Sequence, residues 1–145
     1  LSINKRPYEV KIKADEFLVE TLRRLRFTSV RKGCDTTSCG VCTILVDGNP
    51  VASCSYLSAK AEGHEITTVE GIKEVAEHLA DLLLEEGSDQ CGFCSPGLTL
   101  AVYAMKKQLN NPTDDEIRNY LVGNLCRCSG YEGQQAASKK YLEVK

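Results

Sequence analysis

The spacing of hydrophobic positions changes part-way along the chain, from short alternating runs to helical stripes. Residues 1–13 alternate loosely, with the β-formers Ile3, Tyr8, Val10 and Ile12 and with Pro7 between two short runs, so a strand pair is expected. From Phe17 to Leu25 the period lengthens, with Leu18, Leu22 and Leu25 at i, i+4 and i+7 on one helix face. Residues 33–42 contain Gly33, Asp35, Thr36, Thr37 and Gly40 and read as a loop. A strand over Thr43–Val46, an Asp47-Gly48 hairpin turn and a return strand around Val51–Ala52 come next. Ile66–Val69 reads as one more short strand.

Beyond residue 71 the period is helical. Ile72, Val75, Ala76, Leu79, Leu82 and Leu83 form one stripe that Gly87 closes. Leu98, Ala101, Val102, Met105 and Leu109 form a second, with Ser95 expected as N-cap and Pro96 in the first helical position. Thr113-Asp114-Asp115-Glu116 has the form of a capping box, opening a helix that carries Ile117, Tyr120 and Leu121 to Gly123. A fourth helix is expected from Tyr131 toward Leu142. The fold class is therefore α+β: a β-grasp unit over residues 1–71, then a four-helix unit over 72–145, with the boundary near Glu70–Gly71.

Size sharpens this picture. Two units of half of 145 residues each bury too little surface to be stable alone, and metal centres are a common remedy. The net charge of −2 gives no electrostatic case for nucleic acid. Arg23, Arg24, Arg26, Arg31 and Lys32 cluster in sequence and read as a solvated helix face and its exit. No apolar run is long enough to span a membrane. Residues 1–6 lack the apolar stretch of an export signal, so the expected compartment is the cytoplasm.

Eight cysteines carry the chemistry. They fall into two quartets, Cys34-x4-Cys39-x2-Cys42-x11-Cys54 and Cys91-x2-Cys94-x31-Cys126-x-Cys128. The first three of the leading quartet follow the C-x4-C-x2-C order that holds a plant-type [2Fe–2S] cluster. Four thiolates for each of two clusters uses every cysteine. An oxidised cluster of this type carries a charge of about −2, and helix N-termini favour an anion. Both pairs of the second quartet are followed by helix starts, which suits that charge. Gly33 and Gly40 let backbone amides approach the sulfurs of the first.

Other uses of the cysteines fit less well. A disulfide framework would need an oxidising compartment, and C-x2-C with C-x-C is metal-ligand spacing. Zinc ribbons pair one C-x2-C with another, whereas a C-x-C pair is awkward for a tetrahedral site. A Rieske centre needs two histidine ligands, and neither His64 nor His78 stands in such a motif. No G-x-G-x-x-G or P-loop occurs, so flavin, NAD or ATP would bind elsewhere. Thr36, Thr37 and Ser38 lack a His–acid pair to activate them. Three readings stay open on residues alone: an electron-transfer subunit, a free-standing two-cluster carrier or sensor, and a structural zinc module.

Three blocks occur in order: Gly33-Cys34…Cys39-Gly40-Val41-Cys42-Thr43, Gln90-Cys91-Gly92-Phe93-Cys94-Ser95-Pro96-Gly97, and Gly123-Asn124-Leu125-Cys126-Arg127-Cys128-Ser129-Gly130-Tyr131. Together they resemble the small iron–sulfur subunit of the molybdenum hydroxylases, the xanthine dehydrogenase and aldehyde oxidoreductase family, over almost the whole chain. The resemblance implies a ferredoxin-like domain followed by a four-helix domain, each with one [2Fe–2S] cluster. Cys34, Cys39, Cys42 and Cys54 would hold the first, and Cys91, Cys94, Cys126 and Cys128 the second. It implies an oxidoreductase subunit without substrate chemistry of its own. Electrons would come from a molybdopterin centre in a large partner subunit and leave toward FAD in a medium subunit, in a hetero-oligomer. Gln90 would contact the pterin, with the Cys128 sulfur facing it.

The chain departs from that pattern in places. Thr37 stands where many members have Gly, Val41 replaces a common Ala, and Ser95 and Ser129 replace common Thr. Gly133-Gln134-Gln135 is more polar than the family's apolar stretch.

Overall fold

The computed structural model describes residues 1–144; Lys145, the end of the expected 72–145 unit, lies outside the described residues. The N-terminal half runs β1 (Ser2–Ile3), β2 (Arg6–Pro7), α1 (Leu18–Arg24), β3 (Thr43–Val46), β4 (Asn49–Ala52) and β5 (Glu65–Thr67). The strands form one sheet in the order β2-β1-β5-β3-β4. β1 and β5 are parallel, pairing Ile3 with Ile66, and the other neighbours are antiparallel. The Asp47-Gly48 turn joins β3 and β4 as expected, with both residues at positive φ. Two runs came out shorter than their pattern. Residues 8–13 form no strand, and β5 ends at Thr67 because Val69–Gly71 turns into a 3₁₀ helix.

Helix α1 lies across the sheet. Its Leu18 and Leu22 are fully buried with Ile3, Ile44 and Ile66, each such side chain contributing roughly 1.5–3 kcal/mol of burial. The far face of β3 is also covered, because Leu45 packs on Leu100 and Ala104. That explains why all four residues of β3 are buried where alternation would expose every second one.

The covering element is α3 (Ser95–Gln108), which packs against β3 on one side and against α2 (Lys73–Glu85) and α4 (Asp114–Leu121) on others. Its buried residues go beyond the expected single stripe and include Leu100 and Ala104, which face the sheet. The remaining helix, α5 (Glu132–Leu142), packs on α2 and α4. Leu79, Leu83, Leu98, Val102, Met105, Ile117, Ala137 and Tyr141 make a second core among the four helices. Thr113 caps α4 through the expected box, with Glu116 reaching back to its backbone N–H at 2.7 Å. Ser95 is not the cap of α3: Cys94 holds that position, so Ser95 and Pro96 are the first two helical residues.

Candidate metal centres

All eight cysteines are free thiols. Cys34 interacts with Cys39, Cys42 with Cys54, Cys91 with Cys128 and Cys94 with Cys126. Local folding accounts for the Cys42–Cys54 pair of the first quartet. Cys42 immediately precedes β3, and Cys54 lies in the 3₁₀ turn that follows β4. The antiparallel register sets Thr43 opposite Ala52, so the next residue out on each strand is also brought together. Ser53 locks that junction, donating to the Cys42 carbonyl from its backbone N–H at 3.3 Å and from its hydroxyl at 2.7 Å. The thiols of Cys42 and Cys54 then face each other, as do those of Cys34 and Cys39.

Electrostatics differ sharply within this quartet. Cys34 is lowered to about 6 by the Cys39 thiol and by backbone N–H groups of Cys39, Thr36 and Ser38. Burial and the neighbouring Cys42 push Cys54 up to about 12. Thr37, inside this loop, has φ +58, the left-handed region that favours glycine.

The second quartet is built from two loops that precede helices. The Cys128 and Cys91 sulfurs are 3.5 Å apart, and both residues are exposed. Cys94 and Cys126 form the inner pair. Burial, then Cys126, pushes Cys94 up to about 11. Burial also raises Cys126, but hydrogen bonds from the Ser129 side chain and from the Ser129 and Cys128 backbone outweigh it and bring the thiol to about 7. Those N–H groups reach the Cys126 sulfur at 3.4 Å each. They belong to the loop ahead of α5 and not to the helix itself, which begins only at Glu132. The Tyr131 hydroxyl accepts from the Cys126 N–H at 3.1 Å.

Gln90 donates its amide to the Cys128 carbonyl at 3.1 Å and so ties the two loops of this quartet together. Three further groups meet the site that the sequence did not assign to it. Gln134 donates to the Cys94 sulfur at 3.5 Å. Arg31 donates to the Gly92 carbonyl at 2.5 Å and stacks on Phe93 at 5.2 Å. The Leu125 N–H donates to the Cys39 carbonyl at 2.9 Å, joining one cysteine loop directly to the other.

Glycines make that junction possible. A Cβ on Gly40 would lie 2.1 Å from the Gly123 carbonyl oxygen, and one on Gly97 would lie 2.5 Å from the Gly40 oxygen. Gly40 also has φ +66.

The donor set fits two-iron clusters. Each quartet resolves into two thiol pairs, which would supply the four ligands of a two-iron cluster, and backbone and side-chain N–H groups point at sulfurs. Among the described residues, no three His, Cys, Asp or Glu side chains are grouped as a single metal ion would need.

Comparison with known proteins agrees with this chemistry. Residues 1–69 match the model of a 2Fe-2S iron-sulfur cluster binding domain, and residues 68–139 that of a [2Fe-2S] binding domain. The xanthine dehydrogenase iron-sulfur-binding subunit of Escherichia coli O157:H7 is 44% identical over 135 residues, covering 90% of this chain and 85% of that one. The chain belongs to the small iron–sulfur subunits of the molybdenum hydroxylases. As a member of that family it is an electron-transfer subunit of an oxidoreductase.

The nicotinate dehydrogenase small FeS subunit of Eubacterium barkeri is another relative, 36% identical over 99% of this chain and 93% of its own. Quinoline 2-oxidoreductase from Pseudomonas putida 86 superposes on 98% of this chain and 91% of its own, with a TM-score of 0.90 and 35% identity. In the aldehyde oxidoreductase of Desulfovibrio gigas the same fold is 16% of a longer polypeptide (TM-score 0.87, 30% identity, 97% of this chain). Among the described residues, no helix is long and apolar enough to cross a membrane.

Proposed function

We propose that residues 1–71 and 72–145 act as two domains, each holding one [2Fe–2S] cluster. Cys34, Cys39, Cys42 and Cys54 hold one, and Cys91, Cys94, Cys126 and Cys128 hold the other. When bound, each cluster supplies a one-electron store whose potential depends on the hydrogen bonds and burial around its sulfurs. The chain relays electrons from a molybdopterin centre in a large partner subunit toward FAD in a medium subunit. It performs no substrate chemistry, and its workplace is the cytoplasm.

One observation carries this reading: two paired thiol quartets whose loops meet through the Leu125 N–H and the Cys39 carbonyl. Leu125 is the neighbour of Cys126, so a short run of bonds links one metal-binding loop to the other. Exposure supports the proposed direction. Cys91 and Cys128 reach the surface, whereas Cys39 and Cys42 are buried. Val122, Leu125 and Tyr131 expose apolar side chains around the Cys126–Cys128 loop (76%, 46% and 47%), as a docking face for the large subunit requires. Gln90 holds the Cys128 backbone there, and we place it on the pterin side by the family resemblance.

Metal and sulfide analysis of the purified protein tests the proposal, with about four irons and four labile sulfides expected per chain. Co-purification of a molybdenum-containing chain is expected as well. Stoichiometric zinc without sulfide, or a chain that always purifies alone, contradicts it.

A further inference from the structure

Gln134 is 6% exposed, near the start of α5. It shares an apolar cleft with Leu98, Ile117 and Leu121. A buried amide without partners costs about 1–3 kcal/mol, so a glutamine in such a place is retained only where it bonds. The bond it makes is to a proposed cluster ligand: Nε2 donates to the Cys94 sulfur at 3.5 Å. Its own backbone is fixed by Ser138, whose hydroxyl donates to the Gln134 carbonyl at 2.7 Å.

The inner ligands of this quartet are served differently. Cys126 accepts from the Cys128 and Ser129 backbone N–H groups and from the Ser129 side chain, all within its own loop. Cys94 accepts from a side chain, which substitution can remove.

We propose that Gln134 is a positioning residue that sets the reduction potential of the helical-half cluster by donating its amide hydrogen to the Cys94 sulfur. The inference rests on the reading of that quartet as a [2Fe–2S] site. Reduction adds negative charge that spreads onto the thiolate sulfurs. A donor aimed at a sulfur stabilises the reduced form more than the oxidised form and raises the potential. It makes this cluster the readier acceptor of an electron from the large subunit.

The test is a reductive titration of the purified complex, followed by electron paramagnetic resonance, for wild type and Gln134→Leu. The substitution keeps volume and burial and deletes the donor. One of the two midpoints is expected to fall by an amount equal to about a tenfold change in the reduced-to-oxidised ratio, about 59 mV for one electron. The other midpoint stays where it was, as an internal control.

Gln134→Met repeats the deletion with an unbranched chain, should Leu pack badly. Unchanged midpoints, or equal shifts of both, overturn the inference while leaving the cluster assignment intact. Loss of the cluster in both variants overturns it too, because the residue would then be holding the fold. A wild-type protein with fewer than two reducible clusters removes the underlying reading instead.

Discussion

Gly40→Ala perturbs the place where the two cysteine loops touch. The new methyl group would sit 2.1 Å from the Gly123 carbonyl oxygen and 2.9 Å from its carbon, both backbone atoms that cannot rotate away. Its φ of +66 adds about 1–2 kcal/mol for a residue with a Cβ. Overpacking of this kind adds about 1–3 kcal/mol. The sum, about 2–5 kcal/mol, corresponds to roughly a 10 °C fall in unfolding temperature for a chain of this size. Relief comes by parting the loops, which stretches the Leu125–Cys39 hydrogen bond and the Asn124–Gly40 contact at 3.4 Å. The purified complex should therefore unfold earlier, followed by bleaching of its visible absorption. It should also pass electrons between its clusters more slowly, followed by rapid-freeze resonance after substrate addition, while iron content stays the same. A variant with unchanged unfolding temperature and unchanged transfer would refute the idea that this glycine seam couples the two sites.

Thr37→Gly relieves a left-handed residue in the first cysteine loop and should raise the unfolding temperature by a few degrees, for about 1 kcal/mol. Arg31→Met removes the hydrogen bond to Gly92 and the stacking on Phe93. Amide exchange over residues 91–94 should then speed by about tenfold, the equivalent of about 1.5 kcal/mol for a hydrogen bond to a charged group. Glu16 accepts from Thr21, which, against some burial and together with Arg24 and Lys13, holds its carboxyl below the ordinary 4.5. The folded value lies below the unfolded one, so its stabilisation is present above about pH 4.5 and is lost as pH falls through the lowered value. Glu16→Gln should accordingly flatten the acid limb of a stability-against-pH curve and leave amide exchange in α5 untouched.

Much of the local structure is written in the residues themselves. Strand β3 with its Asp47-Gly48 turn, α1, and the capping box at Thr113 all depend on neighbours in sequence, so a pattern reader meets them directly. The cysteine spacings likewise suggest the proposed donor sets. What stayed hidden depends on elements distant in sequence meeting in space. Leu100 and Ala104 are buried only because α3 turns a second face to β3. Gln134 looks like a surface polar residue until α5 docks beside Cys94. Arg31 reads as part of a solvated basic run, yet it reaches Gly92, 61 residues away. Ser95 offered a standard cap, but the chain gives that position to Cys94, whose sulfur is turned to its partner Cys126.

The central claim is that each quartet holds its own cluster and that the two are separable. Reduced wild-type protein should give two distinct paramagnetic signals from about four irons per chain. Cys42→Ser should abolish one signal and Cys94→Ser the other. A single signal in wild type, or the loss of both signals from either substitution, would contradict the account.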